Sequence, residues 1–399
     1  MKLSGILLVL TLINLVCCVP LPLIFNEDDI ETHGYESWKM KLNKLQKSAK
    51  DLSKQRSYID ADMLDGGVLL KYKQLFEEFV GLFGRNYSDE DEHERRFLLF
   101  LKSLERHQFM NERERANNGT AVYGINKFSD WTTQEFKTLI LSSTQQTFEE
   151  EAAHATPIAA RETPITAKQQ HKDINDRACT YYLKPYPQKV DWKDKVTRIK
   201  NQGSCGSCWA FVGSEQIEMY WAIKTGTLVE RSPQELLSCS PSLGCEGGNT
   251  CLALQWLEKT RIVLETEKNY PYEEKDTACR QVNKTMEGPR VDAVCGCQNL
   301  VNREDAMLRI LDQKGPLSVN VDAVQWHDYI GGIIQHHCTN KNMNHAVQLI
   351  GYDLVSGPIP YYIARNQWGK SFGEDGYVRI KYGDNQCGIA QQPSFIQVV

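Results

Sequence analysis

The sequence predicts a mixed α+β protein in which helix-rich segments come first and strand-rich segments follow. Between residues 72 and 111, and again after Cys208, apolar residues recur at the three- and four-residue spacing of amphipathic helices. Further along, short segments alternate apolar with polar residues, which is typical of half-buried strands. Such extended segments are expected at 317–321, 345–351, 361–365 and 376–381.

Length, charge and cysteine usage limit the class of protein. With 399 residues the chain is too long for one typical domain, so two or three folded units are expected. A formal net charge of −5 does not favour nucleic acid as a partner. Thirteen cysteines, and glycosylation sequons at Asn86, Asn118 and Asn283, indicate passage through an oxidising secretory compartment.

The N-terminus has the pattern of a secretory signal peptide. Residues 1–18 combine an early lysine, an apolar run at 6–16 and small residues. The run is short for a bilayer span, and a retained membrane anchor is the alternative. No later stretch reaches eighteen apolar residues, so no other contact with a membrane is expected. Residues 19–71 are polar and Lys-rich, with a helical tendency at 36–54 and no assignable role.

Cys208 stands where a helix is expected to begin. Gly203 and Gly206 make a flexible approach, and the apolar residues that recur after Trp209 follow a helical period that stops near Gly226. At a helix N-terminus, unpaired N–H groups and the positive end of the dipole favour an anion. A thiolate at Cys208 is therefore expected to be stabilised, and the thiolate is the nucleophilic form of cysteine.

The segment Cys-Gly-Ser-Cys-Trp that ends at Trp209 resembles the signature of papain-type cysteine proteases. That family also needs a histidine and an asparagine far downstream, and the sequence offers Asn344-His345-Ala346 and Asn366-Gln367-Trp368. Both follow Cys208 near the separation of roughly 130–150 residues that the family shows. Three distant motifs in the right order make the resemblance specific.

The resemblance implies the catalytic roles. His345 would exchange a proton with Cys208, and Asn366 would accept a hydrogen bond from the other ring nitrogen of His345. Trp368 would cover that bond from water. Gln202 would join the backbone N–H of Cys208 as an oxyanion hole.

The resemblance also implies a two-lobed fold for a mature peptidase over residues 181–399. A helical lobe at about 193–300 would carry Cys208, and an antiparallel β-barrel-like lobe at about 301–399 would carry His345 and Asn366. The two lobes would face each other across a cleft. No metal and no cofactor are required for this chemistry.

An inhibitory prodomain is expected upstream, at residues 72–136. Gly124, Asn126, Phe128 and Asp130 match a motif of the propeptide in papain-like zymogens. The partner helical motif is matched by Glu92, Arg96, Phe100 and Asn111 but departs at Ser103 and His107. By resemblance, this helical domain binds and blocks its own enzyme. Residues 137–180 would form a flexible activation linker, and the mature enzyme would start between residues 176 and 186.

Substrate contacts are implied on both sides of the cleft. Gly247 and Gly248 would let the substrate backbone approach closely, because glycine has no side chain in the way. The main specificity pocket and its surroundings would be lined by Asn249, Thr250, Asn320, Met343, Asn344, Trp368 and Gln392. These residues are more polar than is typical of the family. We therefore expect a weakened preference for bulky apolar side chains two residues before the cut.

The cysteine count is consistent with one free nucleophile beside an even set. By resemblance the disulfides are Cys205–Cys245, Cys239–Cys279 and Cys338–Cys387. Cysteines two positions apart rarely bridge each other, so Cys295 and Cys297 would each pair with Cys179 or Cys251. A zinc site from Cys295, Cys297 and the His336-His337-Cys338 run is a disfavoured alternative, because its spacing is unusual.

Together these motifs predict a secreted or lysosomal zymogen of a monomeric cysteine endopeptidase that acts on peptides or proteins. The alternatives are a non-catalytic binding protein with the same fold and a propeptide that acts separately as a protease inhibitor. Acid activation is a further hypothesis. It requires that Asp130 and Glu92 form salt bridges that lower their pKa values, so that acid would remove this stabilisation.

Overall fold

The computed structural model describes residues 34–53, 65–141, 179–280 and 287–399. The expected signal peptide, most of the expected linker and the sequon at Asn283 lie outside these ranges, whereas Asn86 and Asn118 are exposed. Within the described ranges, no helix is both long enough and apolar enough to cross a membrane.

The described residues between 34 and 141 form a helical N-terminal unit. It contains α1 (Tyr35–Ser53), α2 (Gly66–Leu82), α3 (Glu90–Ala116), β1 (Val122–Tyr123) and α4 (Thr133–Leu139). The helical region begins at residue 66 rather than at the expected 72, because the Asp65 carboxylate caps α2 by accepting hydrogen bonds from two backbone N–H groups.

Aromatic side chains hold α2 against α3. Phe76 and Phe79 of α2 lie 5.4 and 5.0 Å from the ring of Phe100 on α3, and all three are buried. Helix α1 joins the same core through Leu45 and Ala49. The lysine-rich segment before residue 72 thus contributes helix α1 to the core of the N-terminal unit.

The C-terminal unit begins at residue 179 and has a helical and a strand-rich part. The helices are α5 (Cys208–Thr225), α6 (Pro233–Cys239), α7 (Thr250–Thr260) and α8 (Glu304–Gln313). The strands are β2 (Lys189–Asp191), β3 (Val291–Gly296), β4 (Leu317–Val321), β5 (Tyr329–Gly331), β6 (Ile333–Ile334), β7 (His345–Asp353), β8 (Tyr361–Arg365), β9 (Tyr377–Lys381) and β10 (Ser394–Val398). The α+β fold class is confirmed.

Eight of these strands form one sheet in the order β3-β10-β4-β7-β8-β9-β6, with β2 also paired to β7. All pairs are antiparallel except β6 with β9. Strand β3 pairs with β10, so residues 291–296 belong to the strand-rich lobe and not, as expected, to the helical one. The remaining strand, β5, pairs with β1 and so joins the two units.

Five disulfides link the C-terminal unit. Three are the pairs that the resemblance implied, and the other two join Cys179 to Cys295 and Cys251 to Cys297. The zinc alternative is wrong, because Cys295, Cys297 and Cys338 are all bound in disulfides. Among the described cysteines, Cys208 alone is not in a disulfide.

Candidate active site

Cys208 is the first residue of α5, as its sequence context predicts. Its side chain is fully buried, and its Sγ accepts a hydrogen bond from the backbone N–H of Ala346 at 3.4 Å. Since Ala346 follows His345 at the start of β7, the sulfur lies at the end of the strand that carries the histidine. The two lobes therefore meet at these two residues.

The His345 ring is held by two neighbours. Its Nε2 lies 2.7 Å from Oδ1 of Asn366, and the Trp368 ring stacks on it at 4.6 Å. Pairing of β7 with β8 brings the histidine and the asparagine together. Within the described residues, Nδ1 has no hydrogen-bond partner. Burial lowers the pKa of His345 to about 4, which keeps the ring neutral in this occluded form.

Gln202 has its amide in the cleft. Its Nε2 donates to the carbonyl oxygen of Ile140 at 2.9 Å and to that of Cys205 at 2.8 Å, and its Oε1 accepts from Trp368 Nε1 at 3.1 Å. Ile140 belongs to the N-terminal unit. A backbone carbonyl of that unit thus occupies the donor expected to serve an oxyanion, a contact for which the sequence offers no signal.

The Gly-Asn-Phe-Asp motif lies on the C-terminal unit. The Gly124 N–H donates to Asp328 O at 2.9 Å, and Asn126 Nδ2 donates to His327 O at 2.8 Å. The Phe128 ring packs edge-on against Trp368 at 5.8 Å. Three of the four motif residues therefore fasten the N-terminal unit across the candidate site.

The fourth motif residue corrects an expectation about acid activation. Asp130 pairs with Arg85 at 3.1 Å, but burial raises its pKa, so its predicted lowering is wrong. A carboxyl group whose pKa is raised in the folded form binds a proton more readily there, so acid would not remove stabilisation through Asp130. Glu92 does have a lowered pKa, because Arg96 and Arg95 donate to it, yet all three lie on α3.

One of the two departures from the helical motif, His107, proves to be a contact between the units. Ser103 is buried, and its Oγ donates to Phe100 O within α3. His107 is also buried, with Nε2 3.0 Å from Asp328 Oδ1, and Arg106 forms a salt bridge with the same carboxylate. The signal in the sequence was a polar side chain, His107, at a motif position where the resemblance implies an apolar one.

Two histidines that belong to none of the catalytic or propeptide motifs above also lie at this interface. His327 stacks on Phe136 of α4 at 4.6 Å and its Nε2 lies 3.1 Å from Phe128 O. His337 lies 3.0 Å from the buried Glu114 of α3. Burial lowers the pKa of both histidines, that of His327 to about 4.

The expected specificity pocket is partly assembled. Asn249, Thr250 and Asn320 are buried, and Asn249 and Asn320 both donate to Gln392. Met343 is half-buried and packs against Gly388. The Asn344 side chain is used internally, since it donates to Asp322 Oδ1 and accepts from Ala323 N.

Steric constraints require glycine at the two positions before the pocket, Gly247 and Gly248. A Cβ on Gly248 would lie 2.5 Å from the ring of Trp209, and Gly247 has φ of 135°, which disfavours any side chain. Trp209 follows the candidate nucleophile and is completely buried. Replacing Gly248 would therefore displace the residue next to Cys208.

Gln367, which replaces the serine usual in the family, links the two lobes behind the site. Its Nε2 donates to Glu215 Oε2 at 3.3 Å, and Glu215 lies on α5, two turns after Cys208. Arg365 lies 3.5 Å from the same carboxylate. Phe372, at the place of a usual tryptophan, packs edge-on against Trp368 at 4.7 Å.

A two-lobed fold with a buried cysteine, histidine and asparagine at the lobe boundary defines the class of thiol hydrolases. Residues 186–397 match the papain family of cysteine proteases, and residues 76–136 match the cathepsin propeptide inhibitor domain. The chain therefore belongs to the papain family of cysteine proteases and carries its own propeptide domain.

Individual relatives agree with this family. Cathepsin O of Homo sapiens is 38% identical over 308 residues, which is 76% of this chain and 88% of the relative. Cysteine proteinase B of Leishmania mexicana is 34% identical, covering 80% of this chain and 68% of the relative. Among solved structures, procathepsin L2 of Tenebrio molitor is 29% identical, with a TM-score of 0.67 over 82% of this chain and 99% of that one.

Proposed function

We propose that the chain is the latent precursor of a cysteine endopeptidase, and that Cys208, His345 and Asn366 carry out its chemistry. One observation carries the proposal: the Cys208 sulfur lies at the N-terminus of β7, beside a histidine whose far nitrogen is held by Asn366. A non-catalytic binding protein would not need this arrangement of thiol, imidazole and amide.

The geometry supports a definite order of proton transfers. With Nε2 bonded to Asn366, the Nδ1 atom of His345 is left to take the thiol proton of Cys208. The sulfur then attacks the peptide carbonyl carbon, and the imidazolium returns the proton to the departing amine. Water, deprotonated by the same histidine, hydrolyses the thioester that remains and restores the thiol.

Gln202 would stabilise the negative oxygen that forms during both steps. Its Nε2 is a donor already directed at a carbonyl oxygen, that of Ile140. In the latent form the N-terminal unit uses this donor and closes the cleft, so removal of that unit would be required for activity. Only Gly247, Gly248 and Asn249 connect the short helix Gly244–Glu246 to α7, so this connection carries no insertion that could block one end of the cleft. The short connection favours an open cleft and cleavage within peptide chains.

The location proposed is the secretory pathway, ending in a lysosome or outside the cell. Five disulfides support an oxidising compartment. Exposed sequons at Asn86 and Asn118 are available for glycosylation. The names of the cathepsin relatives agree with this proposal.

Covalent labelling tests the proposed function. The intact precursor and the acid-activated enzyme are treated with a thiol-reactive peptidyl epoxide, and the labelled residue is located by mass spectrometry. We expect label on Cys208 of the activated enzyme, little label on the precursor and none on Cys208→Ala, which should also hydrolyse no peptide. Peptide hydrolysis by Cys208→Ala at the wild-type rate would contradict the proposal.

We also expect acid to weaken binding of the N-terminal unit through His327. In the docked form burial lowers its pKa to about 4, with Asp328 opposing and Arg106 and His107 reinforcing this shift. After release the pKa should return toward 6.5. A histidine pKa that is lower in the docked form stabilises docking above about pH 6.5, and this stabilisation is lost as pH falls toward 4. The affinity should therefore drop about sixtyfold between pH 7 and 4.5.

The measurement is inhibition of the mature enzyme by the separately expressed N-terminal unit as a function of pH. His327→Gln is the matched control, because its amide can still donate to Phe128 O but does not titrate in this range. The variant should show a much flatter pH profile. A parallel loss of affinity in both proteins would assign the effect to other groups, such as the His337 and Glu114 pair.

A further inference from the structure

Three amide side chains from separate segments meet beside the reactive sulfur. Asn249 precedes α7, Asn320 lies in β4 and Gln392 precedes β10. Both asparagines donate to the same atom, Gln392 Oε1, at 3.2 Å from Asn249 Nδ2 and 2.7 Å from Asn320 Nδ2. A single carbonyl oxygen thus joins the helical lobe to the strand-rich lobe.

The backbone of α7 determines which way all three amides face. Asn249 Oδ1 caps this helix by accepting from the N–H groups of Cys251 at 2.9 Å and Leu252 at 3.3 Å. The other end of the Asn249 amide must therefore be its NH2 group, and the Gln392 atom that it meets must be an oxygen. By the same logic, Asn320 meets that oxygen with its NH2 group.

Two polar atoms are left over by this arrangement. The Gln392 NH2 group and the Asn320 carbonyl oxygen have no hydrogen-bond partner within the described part of the chain, and neither is sealed from solvent. One is a donor and the other an acceptor. If a substrate side chain covered both without pairing them, it would lose binding energy.

The cluster lies next to the reacting atoms. Asn320 is the cross-strand partner of Ala346, whose N–H donates to the Cys208 sulfur. On the other lobe, Thr250 Oγ1 donates at 3.3 Å to the carbonyl oxygen of Trp209, the residue after Cys208. A substrate bound at the sulfur would therefore place a nearby side chain against this cluster.

We propose that Gln392 is a specificity-determining residue that selects substrates with a carboxamide side chain, glutamine or asparagine, two residues before the cut. Such a side chain would accept from the Gln392 NH2 group and donate to Asn320 Oδ1. Leucine would leave both atoms unpaired, and glutamate would set a carboxylate against the Asn320 oxygen. The inference rests on the proposed function, because it requires a substrate in the cleft.

The test uses the activated enzyme and four peptides that differ only at this position, which is Gln, Asn, Glu or Leu. We expect kcat/KM for the Gln peptide to exceed that for the Leu and Glu peptides about tenfold, the effect of one to two hydrogen bonds. Gln392→Glu is isosteric and can still accept from both asparagines, but it lacks the donor, so the Gln preference should disappear. Gln391→Leu, whose wild-type amide donates to Asn340 O, should keep it.

Each other outcome has a definite meaning. A preference for leucine, or for glutamate over glutamine, in the wild-type enzyme would overturn the inference, as would a Gln preference that survives in Gln392→Glu. If the activated wild-type enzyme hydrolysed none of a broad peptide library, the proposed function would fail instead. Hydrolysis at Cys208 with an apolar preference would leave the proposed function intact.

Discussion

Replacing His345 with alanine is expected to lower kcat/KM by about 10⁴-fold or more, the scale seen when the base of a catalytic triad is removed. The structure gives the reason. Nε2 of His345 is taken by Asn366, so Nδ1 is the ring nitrogen left to accept the thiol proton of Cys208 in the proposed mechanism. Without the ring, the thiol would have to ionise unaided, and no acid would protonate the leaving amine.

Steady-state kinetics with a fluorogenic peptide measures this effect, after the variant precursor has been cleaved by added wild-type enzyme. His336→Ala is a suitable control, because that side chain is exposed and carries no proposed role in catalysis. It should retain wild-type kcat. A His345→Ala enzyme with more than a tenth of wild-type activity would show that another base serves Cys208.

Replacing Gln202 with alanine should lower kcat about 10²–10³-fold, the usual loss for one oxyanion donor, with a smaller change in KM. The same substitution should weaken inhibition by the separate N-terminal unit about tenfold, since the bond to Ile140 O is lost with it. The turnover rate and the strength of inhibition should therefore both respond to the loss of the Gln202 amide. We therefore expect catalysis and latency to depend on the same Gln202 donor.

Gln202→Glu separates the donor from the other bond of this side chain. Glutamate can still accept from Trp368 Nε1, as Gln202 Oε1 does at 3.1 Å, but it donates nothing to an oxyanion. We expect kcat to fall at least as far as in the alanine variant. Near-normal activity in Gln202→Glu would mean that the bond to Trp368, and not the donor, is what matters.

The local chemistry of this chain could be predicted because it depends on neighbours in the sequence. Cys208 begins a helix since glycines precede it and an apolar period follows it, and the start at Cys208 was predicted to the residue. The strand segments near His345 and Asn366 were likewise visible from alternation. The helical region was expected to begin at residue 72, but α2 begins at Gly66 because the Asp65 side chain caps it.

Contacts between segments far apart in the chain were not predictable in the same way. No motif marks His327, and its contact with Phe136 of α4 is visible only in the structure. The acid-activation hypothesis required a salt bridge to lower the pKa of Asp130. The salt bridge is present, with Arg85, but burial outweighs it and raises the pKa. Both outcomes depend on how much water the surrounding packing excludes.

The sequence by itself determined the family, the reactive groups and their order along the chain, because short motifs record the local requirements of each group. Tertiary structure alone decided that Ile140 covers Gln202 and that Asn249 and Asn320 turn the NH2 group of Gln392 away from them. A hydrogen bond fixes direction only when both partners are in place. Those partners come from segments that are distant in the sequence and meet only when the lobes and the N-terminal unit pack together.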